Sequence, residues 1–392
     1  MKVAVIGSGL GGMLSAAILS EKGFEIDVFE KLPFIGGRFT NIEYKGFQLS
    51  TGALHMVPHG SRGPLAKLLR RAGAKVEIVD SKPAGEALYK GRRTEIRKKK
   101  FPLKSRLNFI KWCLKSRFRE VKISEFENDL DDFSRGFLRA FLGWSLSITP
   151  DEAIFSKILP IYHQTVKCGG PGIPIGGCKS VIDALTEIVT SNDGRIRKRT
   201  GVKAIKPQDY GFSVYAGKDI KHYDIVISNI GHVETGKLLN NEYATHVEPS
   251  SGIKYSISLK EPFIGHTGVL FTFNTRRISG MNEVTNADPN LGKGHLLMAH
   301  QPVLTNNIRY EIAQGLKDLR EILKGHEYEI LAIQSYSDGW PVNRVKAGQD
   351  IGFETPYRNL YVVGDGAKGD DIEVEGIALG VERVIKRIEE MP

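Results

Sequence analysis

The chain has 392 residues, 41% hydrophobic and 26% charged, with 55 Lys and Arg against 45 Asp and Glu and a net charge of +10. This length supports a large core divided between two domains, and the balance is that of a globular protein; no run of about 18 apolar residues is present, so no transmembrane helix is expected. Cys113, Cys168 and Cys178 lack C-x-x-C spacing, which argues against a zinc site or a disulfide framework and for a reducing, cytoplasmic setting.

The first predicted strand, Lys2 to Ile6, begins at residue 2, and no signal peptide is expected ahead of it. It feeds the turn Gly7-Ser8-Gly9-Leu10-Gly11-Gly12. A helix is predicted from Leu10 to about Lys22, then a second strand, Ile26 to Phe29, ending on Glu30, eighteen residues after Gly12. Strand, Gly-x-Gly-x-x-Gly, helix, strand and acid is the order that binds an ADP-ribose moiety. Gly7 allows the tight turn, Gly9 lets backbone N–H groups approach a pyrophosphate, and Gly12 lets the helix lie close to the strand. The helix N-terminus faces the phosphates with its partial positive charge. Glu30 can accept from ribose hydroxyls and would repel a 2′-phosphate, which disfavours NADP. Lys31 to Arg38 reads Lys-Leu-Pro-Phe-Ile-Gly-Gly-Arg. Gly36 and Gly37 offer a second close approach to a phosphate, and Arg38 offers a fork of donors.

Residues 91 to 120 hold twelve Lys and Arg against Glu95 and Glu120. No nucleic-acid-binding motif accompanies them, and no nucleic-acid partner is expected. Within this stretch Leu103, Leu107, Ile110, Leu114 and Phe118 share one helical face, with Lys104, Lys111, Lys115 and Arg119 beside it. A helix over 103–119 of this kind suits either a core-facing stripe or the surface of an anionic membrane, and the core-facing reading is preferred. Phe133, Phe137, Phe141 and Trp144 recur at steps of four and three. They are read as core first and as the lining of a channel for a long apolar substrate second. Pro174-Ile175-Gly176-Gly177 precedes a helix built on Val181, Ile182, Leu185 and Ile188. Strands are predicted at Gly201 to Ile205, Phe212 to Tyr215, Tyr223 to Asn229, Lys254 to Leu259 and Gly268 to Phe273. A last strand, Asn359 to Val363, leads into Gly364-Asp365-Gly366. A last helix opens at Glu375-Gly376-Ile377-Ala378, with Ile377, Val381, Val384 and Ile388 on one side.

Together these motifs resemble the FAD-dependent oxidoreductase superfamily of amine oxidases, protoporphyrinogen oxidases and phytoene desaturases. The Gly339-Trp340-Pro341 run and Thr355-Pro356-Tyr357-Arg358-Asn359 are most similar to the phytoene desaturase–retinol saturase branch. The resemblance implies an α/β fold with a Rossmann-like, glutathione-reductase-type FAD domain (1–75, 166–245 and 341–392) and an α+β substrate domain (76–165, largely helical, and 246–340, richer in strands). It implies cofactor contacts from Gly7, Ser8, Gly9, Leu10, Gly11, Gly12, Glu30, Lys31, Gly36, Gly37, Arg38, Gly52, Val202, Gly364, Asp365, Glu375, Gly376 and Ile377. Asp365 would bond a ribityl hydroxyl, and the helix starting near Glu375 would point its N-terminus at the flavin N1/C2 edge. The family's Asp-x-Gly-Pro run is replaced here by Ser50-Thr51-Gly52-Ala53. No cysteine follows residue 178, so FAD would be held non-covalently, and no second Gly-x-Gly-x-x-Gly provides for NAD(P). Electrons would pass to or from an external partner.

The flavin carries the chemistry in such a site, and no metal is called for. His55, His59, His163 and His232 are isolated in sequence and are read as structural or surface residues first; His55, after the Gly52 segment, is the one put forward as a proton carrier second, and no catalytic base is assigned. The implied activity is hydride transfer between flavin N5 and an apolar, isoprenoid- or carotenoid-like substrate, by desaturation, saturation or isomerisation. The alternatives are an amine or protoporphyrinogen-type oxidase, and a non-catalytic FAD-binding redox sensor.

Overall fold

The protein is described by a computed structural model covering residues 1–391 apart from 53, 242, 245–247 and 337–343. Ala53 and the Gly339-Trp340-Pro341 run lie outside the described residues.

The first strand, Lys2–Ile6, lies at the middle of a five-stranded parallel sheet in the order Leu360–Val362, Ile225–Ser228, Lys2–Ile6, Glu25–Phe29, Arg195–Arg197. Its side chains alternate between two layers, as a strand covered on both faces requires. Val3 and Val5 point to one side. There the helices Leu10–Glu21, Gly177–Ser191 and Glu373–Glu389 pack through Leu14, Ile18, Val181, Leu185, Val381 and Ile385. Ala4 and Ile6 point to the other. There a three-stranded antiparallel sheet (Val202–Pro207, Phe212–Ala216, Asp219–Tyr223) covers them with Ile205, Phe212 and Val214.

A second sheet has seven strands, in the order Tyr328–Tyr336, Gly252–Leu259, His295–Pro302, Gly280–Glu283, Val269–Thr272, Gly85–Tyr89, Arg92–Glu95. Ile253, Tyr255, Ile257 and Leu297 meet the helix Ile308–Ile322 on one face. The 76–165 stretch is less helical than expected, because its residues 85–95 form a hairpin that extends this sheet beside Val269–Thr272. The turn is Lys90-Gly91, both with positive φ (51° and 71°), the two-residue geometry that matches strand twist. The helices Leu103–Lys115, Asp132–Phe141 and Phe155–Cys168 make up the rest, with Trp112, Phe126, Leu142 and Phe155 among their shared core residues. Among the described residues, no helix is long and apolar enough to cross a membrane.

Phe133, Phe137 and Phe141 are half-buried and Trp144 is buried, and all four gather with Phe271, Phe273, Ala87 and Met56. The stripe at 103–118 corrects the preferred reading. Leu103, Leu107, Ile110, Leu114 and Phe118 are exposed, and the helix packs through Ser105, Phe109 and Trp112 instead.

Candidate functional site

The carboxyl ends of the parallel strands converge on the first glycine turn. Gly7 takes φ +91° and its N–H bonds the Phe29 carbonyl (2.8 Å), which swings the chain over the second strand. A Cβ on Gly12 would overlap the Gly7 carbonyl, so only glycine lets the helix Leu10–Glu21 start this close to the strand. That helix has no capping side chain and no acidic residue in its first turn, which leaves its N-terminus suited to an external anion. Glu30 is buried. Its carboxylate accepts from Ser8 N (3.0 Å), Ser8 Oγ (2.6 Å) and Leu32 N (2.8 Å), and so stands against the turn from the tip of the second strand. Thr200 N donates to the Glu30 carbonyl (2.7 Å), which brings half-buried Val202 and exposed Lys31 to the same corner.

Two further stretches close on this turn. Gly9 and Gly36 form a parallel bridge, and Gly36 N donates to the Ser8 carbonyl (3.0 Å). A Cβ on Gly11 would lie 2.9 Å from Gly364 N. Arg38 Nη2 reaches Asp365 Oδ2 at 2.6 Å, across 327 residues of sequence. The other carboxylate oxygen, Oδ1, accepts from Lys368 Nζ (2.6 Å), and Lys368 also lies 3.2 Å from Asp350. Burial alone would raise the Asp365 pKa; Lys368 and Arg38 outweigh it and hold the carboxyl well below the usual range. Both oxygens of Asp365 are therefore engaged within the protein. Sequence reasoning singled out neither Lys368 nor Asn229. The Asn229 amide fills the angle between Gly9, Gly11 and Gly364, at the carboxyl end of Ile225–Ser228. The place where a parallel strand ends beside the first one was the available signal for it.

Beneath the segment 50–55 lies a second cluster. A Cβ on Gly52 would overlap the Arg38 carbonyl, so this segment packs directly on the 36–38 turn. Lys254 comes up from the seven-stranded sheet, fully buried. Its Nζ donates to Ser50 O (2.6 Å), Ser50 Oγ (2.8 Å) and Gly52 O (2.8 Å). Burial brings its pKa down from 10.5 to about 7. Both protonation states fit there, because the Ser50 hydroxyl can accept from the ammonium or donate to the amine. His55 is buried too, and burial pushes its pKa down to about 4. Its Nε2 lies 2.7 Å from the Gln48 carbonyl and its Nδ1 accepts from Cys178 N (3.2 Å). Both ring nitrogens of the candidate proton carrier are thus tied to backbone, and neither is free for a substrate.

The 375–377 segment differs from expectation. The helix begins at Glu373, and Glu375 turns its buried carboxylate to His59 N (3.0 Å) and Leu65 N (2.7 Å). It thereby ties down the start of the helix Pro64–Arg71 rather than facing the turn at Gly364, and burial pushes its pKa up to about 7. His59 Nε2 meets Asp371 Oδ1 (2.8 Å) in the same pocket. Gly376 N donates to the Ile372 carbonyl, and Ile377 packs into the helical layer of the core.

The comparisons with known proteins fit this geometry. Residues 5–72 match the model of an NAD(P)-binding Rossmann-like domain. An uncharacterised protein of Methanocaldococcus jannaschii is 46% identical, with 99% of each chain covered. An oxidoreductase of Methanosarcina mazei superposes with a TM-score of 0.90 at 42% identity, covering 98% of this chain and all of the other. Zeta-carotene desaturase of Zea mays is 36% identical over 80 residues, 20% of this chain and 14% of that protein. The chain belongs to one family with these two full-length relatives, an oxidoreductase among them, and a fifth of it also resembles a carotenoid desaturase. Putrescine oxidase shares the fold of this chain over its whole length, with a TM-score of 0.72 at 15% identity. The protein is an oxidoreductase.

Proposed function

We propose that this oxidoreductase holds FAD non-covalently along the seam between Gly7–Gly12, Gly36–Arg38 and Gly364–Asp365, and uses it to move hydride to or from an apolar, isoprenoid-like substrate. The convergence of those three stretches carries the cofactor reading. The residues fit the group: an uncapped helix N-terminus and Gly9 for the pyrophosphate, Glu30 for the adenosine ribose, Lys31 and Val202 toward the adenine, and Arg38 with Asp365 toward the ribityl chain. In this reading the segments 1–75, 166–245 and 341–392 carry the cofactor, and 76–165 and 246–340 carry the substrate.

Bound flavin supplies a two-electron acceptor for hydride. The chain supplies the rest. Lys254 fixes the Ser50–Gly52 backbone beneath this seam through the three hydrogen bonds of its buried Nζ. The apolar side of the substrate reading rests on the aromatic group of Phe133, Phe137, Phe141, Phe271 and Phe273, which packs with Met56 just past the Gly52 segment. An external acceptor or donor completes the electron balance.

The test is an absorbance spectrum of the purified protein, followed by anaerobic titration with an acyclic C30 or C40 polyene precursor and, separately, with a diamine and a porphyrinogen. Bleaching of the flavin bands by the polyene alone supports the reading. Bleaching by the diamine or the porphyrinogen transfers the assignment to an oxidase of that class. A bound flavin that neither these substrates nor dithionite reduces would leave a non-catalytic role.

A further inference from the structure

The helix Leu103–Lys115 is fastened to the protein by one face and presents the opposite one to the outside. On the fastened face Ser105 Oγ donates to Asp131 Oδ2 (2.7 Å), Phe109 packs edge-on to Phe155 (centroids 5.4 Å apart), and Trp112 stacks on Phe126 (4.6 Å). Asn108 adds a bond to the Asp129 carbonyl (2.9 Å). At about 100° per residue, Leu103, Leu107, Ile110 and Leu114 lie roughly half a turn around from these anchors. They are 64%, 56%, 56% and 53% exposed, and Phe118, just past the helix, is 89% exposed. A row of five large apolar side chains directed straight away from the core on a well-docked helix is not a packing surface left over from folding.

The charges around the row identify what would cover it. Lys104, Lys111 and Lys115 border it on one side, Arg106 borders it on the other, and Lys98–Lys100 and Arg117 stand at its two ends, all exposed. Arg97 and Arg119 pair with Glu95 and Glu125, whereas no ion pair among the described residues engages Lys98, Lys99, Lys100, Lys104, Arg106, Lys111 or Arg117. The first turn of the helix holds Lys104 and Arg106 and no acid. Cations at a helix N-terminus oppose the macrodipole and weaken the isolated helix. Their placement at that end makes physical sense if anions from outside approach it. A second copy of this chain is a poor occupant, because stacking two such faces would set one basic border against another.

We propose that this face docks the protein on an anionic lipid bilayer, with the helix lying in the plane of the interface. Leu103, Leu107, Ile110, Leu114 and Phe118 would enter the boundary between headgroups and acyl chains, and the flanking cations would meet lipid phosphates. An apolar stripe framed by basic rows is the arrangement that stable interfacial helices share, with the apolar face sinking about 5–10 Å. Phe101, just before the helix, packs on Phe133 and Phe137 (5.7 and 5.4 Å between centroids), so the docked face adjoins the aromatic group that runs toward Met56.

The experiment is co-sedimentation of the purified full chain with vesicles of phosphatidylcholine alone or with a minority of phosphatidylglycerol, at low and high salt. It reads partition and not flavin chemistry, so it stands or fails apart from the proposed activity. Binding to the anionic vesicles is expected, weakened by salt and slight on phosphatidylcholine alone. Lys111→Glu with Lys115→Glu should lower the partition coefficient at least ~20-fold. Leu107→Ser with Ile110→Ser, which keeps every charge, should lower it ~10-fold or more. These positions are exposed, so both variants should remain folded, with a shift of a few degrees in melting temperature expected only for the charge reversal, because Lys115 Nζ lies 4.4 Å over the Trp112 ring. No pelleting with anionic vesicles, equal pelleting by either double variant, or a dimer in sedimentation that Leu107→Ser dissociates without any vesicle binding would each overturn the proposal.

Discussion

Lys254→Met tests the electrostatics under the 50–52 segment. In the unfolded chain the lysine stays protonated to about pH 10.5, and in the folded protein it gives up its proton near pH 7. Its folded pKa is lowered, so the unfolded chain binds more protons between those values and stability must rise with pH across that window; the full penalty applies below pH 7. Three and a half units at about 1.4 kcal/mol each set a ceiling of ~5 kcal/mol on that penalty. Between pH 7 and pH 9 the lysine should add about 2 kcal/mol to the stability of the wild type. Methionine fills similar volume and cannot titrate. It also withdraws the donor from the Ser50 and Gly52 carbonyls, a loss that does not depend on pH. Urea unfolding of both proteins at pH 7, 8 and 9 isolates the titrating part, since every other group is common to the two. The stability difference should drift by about 2 kcal/mol in favour of the wild type as pH rises. A difference that stays constant within a few tenths of a kcal/mol would show that Lys254 keeps an ordinary pKa, and the argument from burial would be wrong.

Glu30→Ala removes the charged acceptor beside the glycine turn and should weaken flavin retention by about 10- to 100-fold, read as flavin released on gel filtration; full retention would deny Glu30 a ribose. Glu375→Ala strips two buried N–H groups, those of His59 and Leu65, of their acceptor and should cost about 2–4 kcal/mol in denaturant melts. His55, pushed down to about 4, makes its contribution above pH 6.5 and loses it as pH falls toward 4, by up to ~3 kcal/mol. His55→Gln should flatten that acid limb, and parallel limbs in the two proteins would count against the buried neutral imidazole.

The glycine turn, Glu30, the 36–38 turn and the 364–365 turn are legible in sequence because each is a local pattern whose geometry follows from residue types a few positions apart. What could not be read is held by long connections. Lys254 meets Gly52 across 202 residues, and in sequence it is one polar residue in a strand whose alternate positions, Ile253, Tyr255 and Ile257, fill a core. Glu375 sits where a flavin-facing helix start would be read, and its carboxylate instead serves an N-terminus 310 residues away. The helix at 103–115 shows the limit of periodicity. A stripe of Leu and Ile defines a face without saying which way it points, and here two aromatics, Phe109 and Trp112, with Ser105 take the inner side. The hairpin at 85–95 was missed for a plainer reason: its two strands are short and its only strong local mark is the Lys90-Gly91 turn.

The parallel sheet has one more consequence. Its opening strand has Glu25–Phe29 on one edge and Ile225–Ser228 on the other, and the latter in turn needs Leu360–Val362 beside it. An excised fragment ending near residue 75 would carry the whole nucleotide fingerprint and yet expose Val3 and Val5 along a bare edge, stripped of the closing helix Glu373–Glu389 that roofs them. Removing that helix from the far terminus should therefore disable the first dozen residues as surely as mutating them.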